Sequence, residues 1–264
     1  MDRGFGIAGS LDIEILRELA PLLESLGFRT LWINDTPGGD SLAGCAAAVE
    51  ATERLRVATG VIPIDRRQPA EIVADVRRRE IPAARLTIGI GSGMAPKPLG
   101  RVRAAVAELR RLVDPATTIS VGALGPKMTA LAAAVSDDVL LNWLTPDAAR
   151  VSTGEVADAA AAAAGRATPR VTAYVRVATE LEAIQWLATE AQRYGTYPSY
   201  AAHFRRFGVE AIDTTIGSTD PAAVAGGLAA FDGTVDEIVV RAITAGETFA
   251  AYRDLAVLTA PSIA

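Results

Sequence analysis

The sequence predicts a single α/β domain, residues 1–264, folded as a (β/α)8 TIM barrel. Three observations carry this. Short apolar runs and helical periods alternate along the whole chain. The runs number eight, and 264 residues shared among eight strand–helix units gives about 33 each, the size such barrels use. The runs are also continuous, as in Val139-Leu140-Leu141 and Ile238-Val239-Val240, which suits parallel strands covered on both faces. A doubly wound open sheet is the alternative that periodicity leaves standing.

In chain order the strands are expected at Phe5–Ala8, Thr30–Asn34, Arg56–Pro63, Leu86–Gly91, Thr117–Gly122, Asp138–Trp143, Val171–Ala178 and Glu237–Ala242. Helical periods fill the gaps at Leu11–Ser25, Pro69–Glu80, Val102–Val113 and Ala222–Phe231, and Thr248–Leu258 closes the chain. Ser41–Thr52 holds Gly44, Cys45 and five alanines; its small face suits either a dimer contact or close packing on the barrel. Val156–Ala164 is nearly all alanine and reads as an outer helix. Arg193–Ile216 is longer than a barrel connection needs and rich in aromatics, so a lid loop is expected there.

Half the residues are hydrophobic, enough for a large core, and the formal net charge is -5. That acidic balance argues against nucleic acid as a partner. The lone cysteine, Cys45, has no internal partner for a disulfide, and no apolar run approaches the roughly 20 residues of a membrane span. The start lacks the layout of a signal peptide, so a cytoplasmic location is expected. With one histidine, His203, a His-rich metal site is impossible and no metal is expected; that histidine lies among aromatics and reads as structural.

In a (β/α)8 barrel the chemistry sits where strands end. After the fourth run comes Gly89-Ile90-Gly91-Ser92-Gly93, and after the fifth Gly122-Ala123-Leu124-Gly125-Pro126-Lys127, opening a helix. Glycines let backbone approach a ligand, and free N–H groups at a helix start attract anions. Together these turns predict a phosphate site on one side of the mouth. Neither is a dinucleotide fingerprint, because Met94 stands at the third glycine position. Asn34, Asp35, Thr59, Gly60, Val61, Asn142, Trp143, Tyr174, Arg176 and Arg241 fall at other strand ends. Thr145 followed by Pro146 is an ordinary helix start.

Four of these stretches, in this order, resemble the bacterial luciferase-like flavin or deazaflavin oxidoreductases: Thr59-Gly60-Val61, Arg85 to Gly93, Val121 to Lys127 and Asp138 to Pro146. The resemblance runs over nearly the whole chain. It implies a TIM barrel binding FMN or coenzyme F420, and transfer of a hydride between that cofactor and a small organic substrate, with or without dioxygen. It implies a ring lodged against the third strand at Thr59, Gly60 and Val61, with a cis peptide at Gly60-Val61. Gly91, Ser92, Gly93, Ala123, Leu124, Gly125, Pro126, Lys127 and Asn142 would hold the cofactor. It also implies a homodimer.

Asp35, Asn34 and Trp143 are the expected catalytic residues, and Tyr174, Arg176 and Arg241 the expected substrate pocket. Many relatives place a His after the Asp at the second strand end, but here Thr36 follows Asp35. A non-catalytic flavin carrier on the same barrel is therefore the alternative. A barrel lyase or isomerase acting on a sugar phosphate is a third reading, because the same turns would serve it.

Overall fold

The computed structural model describes residues 1–94, 96–163 and 167–261. Eight parallel strands close into a barrel: β1 (Asp2–Ala8), β2 (Thr30–Asn34), β3 (Arg56–Thr59), β5 (Leu86–Gly91), β6 (Thr118–Gly122), β7 (Asp138–Asn142), β8 (Arg170–Ala178) and β10 (Glu237–Ala242). Closure is direct, since β10 pairs with both β8 and β1. Two short strands extend the mouth. β4 (Ile62–Pro63) pairs with β5, and β9 (Ile216–Gly217) pairs with the end of β8. This excludes the open-sheet alternative.

The helices are α1 (Ile13–Ser25), α2 (Ser41–Glu50), α3 (Pro69–Arg78), α4 (Pro98–Leu112), α5 (Pro126–Val135), α6 (Pro146–Ala162), α7 (Leu181–Thr196), α8 (Pro198–Phe207), α9 (Pro221–Ala229) and α10 (Phe249–Leu258). Local chemistry fixes many of their starts. Asp12, Asp40, Thr145, Asp220 and Thr248 cap helices through their side chains, and six helices carry Pro in the first turn.

Outward-facing strand residues such as Phe5, Ile7, Leu31, Ile33 and Val57 join the helices in the main core. A second, smaller cluster fills the barrel interior: Trp32, Ala58, Leu140, Tyr174 and Val239. Trp32 and Tyr174 meet edge to face with centroids 6.0 Å apart. Small residues on β1 make room for Trp32 and Val239 of this cluster. A Cβ at Gly4 would lie 3.1 Å from Trp32 Cδ1, and one at Gly6 would lie 3.1 Å from Val239 Cγ1. The interior is thus packed and is no open pore.

Several expectations change. The third run is two strands, interrupted at the cis peptide Gly60-Val61. The seventh strand stops at Asn142 because Trp143 takes φ 56°, which is incompatible with strand geometry. The fourth helix begins at Pro98, earlier than the apolar period suggests. Arg193–Ile216 is no lid loop: it is the end of α7, all of α8 and a 3-10 turn at Ala211–Thr214. Its aromatic residues gave no apolar period long enough to reveal a helix, but Tyr194, Tyr200 and Phe204 pack as one cluster with Trp143. The small face of α2 lies on the barrel, where a Cβ at Gly44 would stand 2.7 Å from Ile33 Cδ1. Ala164, the last residue of the alanine-rich helix expected from the sequence, lies outside the described residues.

The N-terminal end of the barrel holds two buried carboxyl groups. Glu237 Oε1 accepts from Trp32 Nε1 at 3.0 Å, and Asp138 Oδ1 accepts from Thr172 Oγ1 at 2.7 Å. Arg29, Arg56 and Arg170 rim the small polar hollow around them. Burial pushes the Asp138 carboxyl up to about 6 and the Glu237 carboxyl up to about 7. A carboxyl raised in this way favours folding while it keeps its proton. That contribution is complete below the unfolded value near 4.5 and is lost as pH rises through about 7. Glu237→Gln should therefore flatten the decline in melting temperature between pH 5 and 8 and raise the melting temperature at pH 8. Thermal melts across that range check it, and parallel curves for the two proteins would contradict it.

Candidate functional site

At the C-terminal mouth a cavity of about 470 Å³ opens over the ends of β3 to β8. Gly60, Val61, Gly91, Ser92, Gly93, Ala123, Leu124, Gly125, Asn142 and Tyr174 line it, so the structure brings most of the sequence-predicted site together. Pro63, Met94, Pro98, Met128, Leu140, Ser199 and Tyr200 line it as well. The last two come from α8, inside the segment expected to be a lid loop.

The two glycine-rich turns turn out to differ. Gly89, Gly91 and Gly122 are small for the barrel's own sake. A Cβ at Gly89 would run into the Thr59 carbonyl, and those at Gly91 and Gly122 would lie 2.6 and 3.2 Å from Val61 side-chain carbons. Gly93 has φ 57°, and a Cβ there would collide with the Asp65 carboxylate, which also accepts from Met94 N at 2.7 Å. An acid from the chain therefore already occupies the Gly91–Gly93 turn, which disfavours a phosphate there.

The turn after β6 is open. Nothing lies within 4 Å of a Cβ at Gly125. Ala123 N donates to Leu140 O at 2.9 Å, but the amides of Leu124, Gly125 and Lys127 find no acceptor among the described residues. They stand at the start of the ten-residue helix α5, the positive end of its dipole.

At the floor of the cavity Tyr174 is 3% exposed, and its hydroxyl has no partner among the described residues. Burial pushes its pKa far above the ordinary phenol range, so it keeps its proton as a hydrogen-bond donor. The hydroxyl sits over Gly60, where a Cβ would overlap it. Asn142 Oδ1 accepts from Arg176 Nη1 at 2.8 Å, which fixes the amide with its NH2 group left to donate. Thr59 does not line the cavity. Its hydroxyl donates to Gly89 O and accepts from Gly89 N, both at 2.9 Å, tying β3 to β5 where the strands part.

The expected catalytic residues lie elsewhere. Asp35 is 2.8 Å from Arg66 Nη2 and accepts from Ser41 Oγ at 2.8 Å, with its side chain 6% exposed. These bonds draw its carboxylate into the Arg66–Arg67–Asp40–Asp75 ion network beside the mouth. Asn34 does not line the cavity, although its buried Oδ1 is unpartnered. The left-handed backbone at Trp143 goes with an indole buried under α7 and α8. The Arg176 guanidinium stacks on it at 3.6 Å, and Tyr194 and Phe204 pack around it.

Two of the three residues expected in a substrate pocket are also engaged otherwise. Arg176 is buried and paired with Glu190 at 3.2 Å, and Arg241 turns back to its neighbour's carbonyl, Ala242 O. Pro126 and Lys127 frame the open turn through their backbone without lining the cavity.

A larger hollow of about 700 Å³ lies between α7, α8 and residues 209–212, lined by Ala188, Ala191, Phe204 and Ile212 among others. It meets no strand end, whereas the mouth does, so the mouth is the better site. Among the described residues no group of three or more His, Cys, Asp or Glu side chains is placed to hold a metal, and no helix is long and apolar enough to cross a membrane.

Residues 3–105 match the family described as luciferase-like monooxygenase. The fold is that of a luciferase-like TIM barrel. Solved structures agree over its full length. A coenzyme F420-dependent tetrahydromethanopterin reductase from Methanopyrus kandleri superposes with a TM-score of 0.79 at 15% identity, covering 99% of this chain and 98% of that one. A monooxygenase from Streptomyces bottropensis gives 0.73 at 19% identity, covering 98% of each chain. The oxygenating constituent of 3,6-diketocamphane monooxygenase from Pseudomonas putida, solved with FMN, gives 0.70 at 15% identity, covering 100% of this chain and 98% of that one.

In this luciferase-like barrel the contact between Tyr174 and Gly60 fixes the cavity floor. Gly60→Ala forces a methyl into the phenol and should destabilise the protein by about 1–3 kcal/mol through overpacking. Chemical denaturation checks it; an unchanged midpoint would mean that the floor yields.

Proposed function

We propose that the chain is an oxidoreductase that binds FMN or coenzyme F420 in the mouth cavity and moves a hydride between that cofactor and a small organic substrate. The open β6–α5 turn beside an unplugged cavity carries this reading. The residues present fit such a group. The amides of Leu124, Gly125 and Lys127 would receive its phosphate, with the Lys127 charge nearby. Gly60, Val61 and Leu140 offer an apolar bed for a flat ring, and the Asn142 amide and Tyr174 hydroxyl offer donors at its polar edge. The bound cofactor supplies the hydride chemistry. The protein's share is to orient the ring, exclude water from its face and hold two protons in hydrogen bonds at Asn142 Nδ2 and Tyr174 Oη.

The composition of the cavity narrows the mechanism. Its only ionisable side chains among the described residues are Tyr174 and Tyr200. Burial pushes Tyr200 up to about 12 and Tyr174 up as well. No carboxylate, lysine or histidine lines it, which disfavours a sugar-phosphate lyase or isomerase, whose chemistry needs an acid–base pair. The same lack supports a second reading, a flavin carrier without turnover. For an oxidoreductase, kcat at saturating substrate should show no ionisation of a cavity side chain between pH 6 and 8. A bell-shaped kcat profile in that range would require an acid or base from outside the cavity.

Binding is the first test. Titration with FMN and with coenzyme F420, followed by absorbance and fluorescence, should give micromolar or tighter affinity for one of them. Gly125→Val should weaken that affinity at least tenfold while leaving the melting temperature within about 2 °C, because the turn is open and φ at Gly125 is -113°. Wild-type affinity in this variant would remove the turn from the site. Binding followed by reduction with a panel of alcohols and reduced pterins supports the enzyme, and binding without turnover supports the carrier.

A further inference from the structure

His203 on α8 is the chain's only histidine and is 5% exposed. Its ring spans two strand-end turns. Nδ1 lies 2.7 Å from the carbonyl oxygen of Leu124, and Nε2 lies 2.9 Å from that of Trp143. Both neighbours are acceptors only. A neutral imidazole has one N–H and one lone pair, so it satisfies one of these carbonyls and turns a lone pair towards the other. Only the imidazolium donates to both.

Burial opposes the charged form and, with Arg206 adding to it, outweighs the two carbonyls, so the pKa lies below the ordinary histidine value. The surrounding charges are few. Arg206 on the same helix is paired with Glu155 of α6, and the β6–α5 turn carries Lys127. On the β7 side Arg176 covers the Trp143 indole and is itself paired with Glu190. Phe204 and Phe207 flank the ring. No carboxylate bonds to it among the described residues.

The two carbonyls belong to turns that need bracing. Leu124 lies within the open turn, one residue before Gly125, and Trp143 holds a left-handed φ of 56° that non-glycine residues rarely adopt. We propose that His203 is a positioning residue for the anion turn. When a phosphate docks on the amides of residues 124–127, the ring takes up one proton from solvent and its two N–H groups tie the Leu124 and Trp143 carbonyls to α8. The positive charge so formed lies beside the bound anion and stabilises it. Cofactor binding and protonation of His203 are thereby linked, each favouring the other. This inference rests on the β6–α5 turn being the cofactor's phosphate site.

Because the chain has one histidine, its imidazole resonances are unambiguous by ¹H–¹⁵N NMR. Saturating FMN or coenzyme F420 should raise the midpoint of the His203 titration by about one pH unit or more, which is tenfold in proton affinity. Riboflavin, which lacks the phosphate, should leave it in place. His203→Gln should weaken the phosphate-bearing cofactor about tenfold and spare riboflavin, whereas a merely structural histidine would weaken both alike. A midpoint unmoved by bound FMN or F420 overturns the inference and leaves the cofactor site intact. If neither cofactor binds the wild-type protein, the phosphate site falls and the inference falls with it. Should His203→Gln fail to fold, the wild-type titration alone decides.

Discussion

The amides at the start of α5 are the constraint from which the site follows. Strand β6 ends at Gly122, Ala123 N is spent on Leu140 O, and Pro126 has no N–H to give. The remaining amides of Leu124, Gly125 and Lys127 have no acceptor in the described chain. They stand at a helix N-terminus beside a cavity, in residues that are half-buried or exposed and so open to a ligand. A ligand anion would satisfy them. The Gly91–Gly93 turn shows the contrast: it is left-handed at Gly93, opens no helix there, and is already met by the Asp65 carboxylate.

The rest of the barrel serves this arrangement by keeping the mouth open and its floor firm. Trp32 and Tyr174 fill the interior with Ala58, Trp32 lies against Gly4, and the Tyr174 hydroxyl closes over Gly60. Below them the barrel shelters two raised carboxyl groups, and above them the cavity wall is completed by α8. The ionic residues near the mouth largely neutralise one another. Asp35, Asp40 and Asp75 are bound by Arg66, Arg67 and Arg79, and Arg176 by Glu190. What faces the cavity is backbone, apolar surface and a few neutral donors, an environment suited to a cofactor that brings its own chemistry.

The barrel was legible because continuous apolar runs and capping residues are local signals; β2, β5 and β10 match the runs read from sequence residue for residue. The open turn was legible for the same reason, since Gly-Pro at a helix start is written in adjacent residues. What escaped were long-range pairings. Nothing near Asp35 in sequence announces that Arg66 will hold it, and nothing near Gly93 announces Asp65. The aromatic segment around His203 read as a lid loop because its period was obscured by Tyr and Arg, so its helical form and its grip on two turns stayed hidden. Trp143 was misplaced because one left-handed residue moves a side chain from the mouth to the outer layer.

The most direct measurement is a crystal structure of the protein soaked with whichever cofactor, FMN or coenzyme F420, it binds. The account predicts the phosphorus atom over the start of α5, with phosphate oxygens within hydrogen-bond distance of the Leu124, Gly125 and Lys127 amides and the ring over Gly60 and Val61. A phosphate displacing Asp65 from the Gly91–Gly93 turn, or a cofactor lodged outside the mouth, would contradict it.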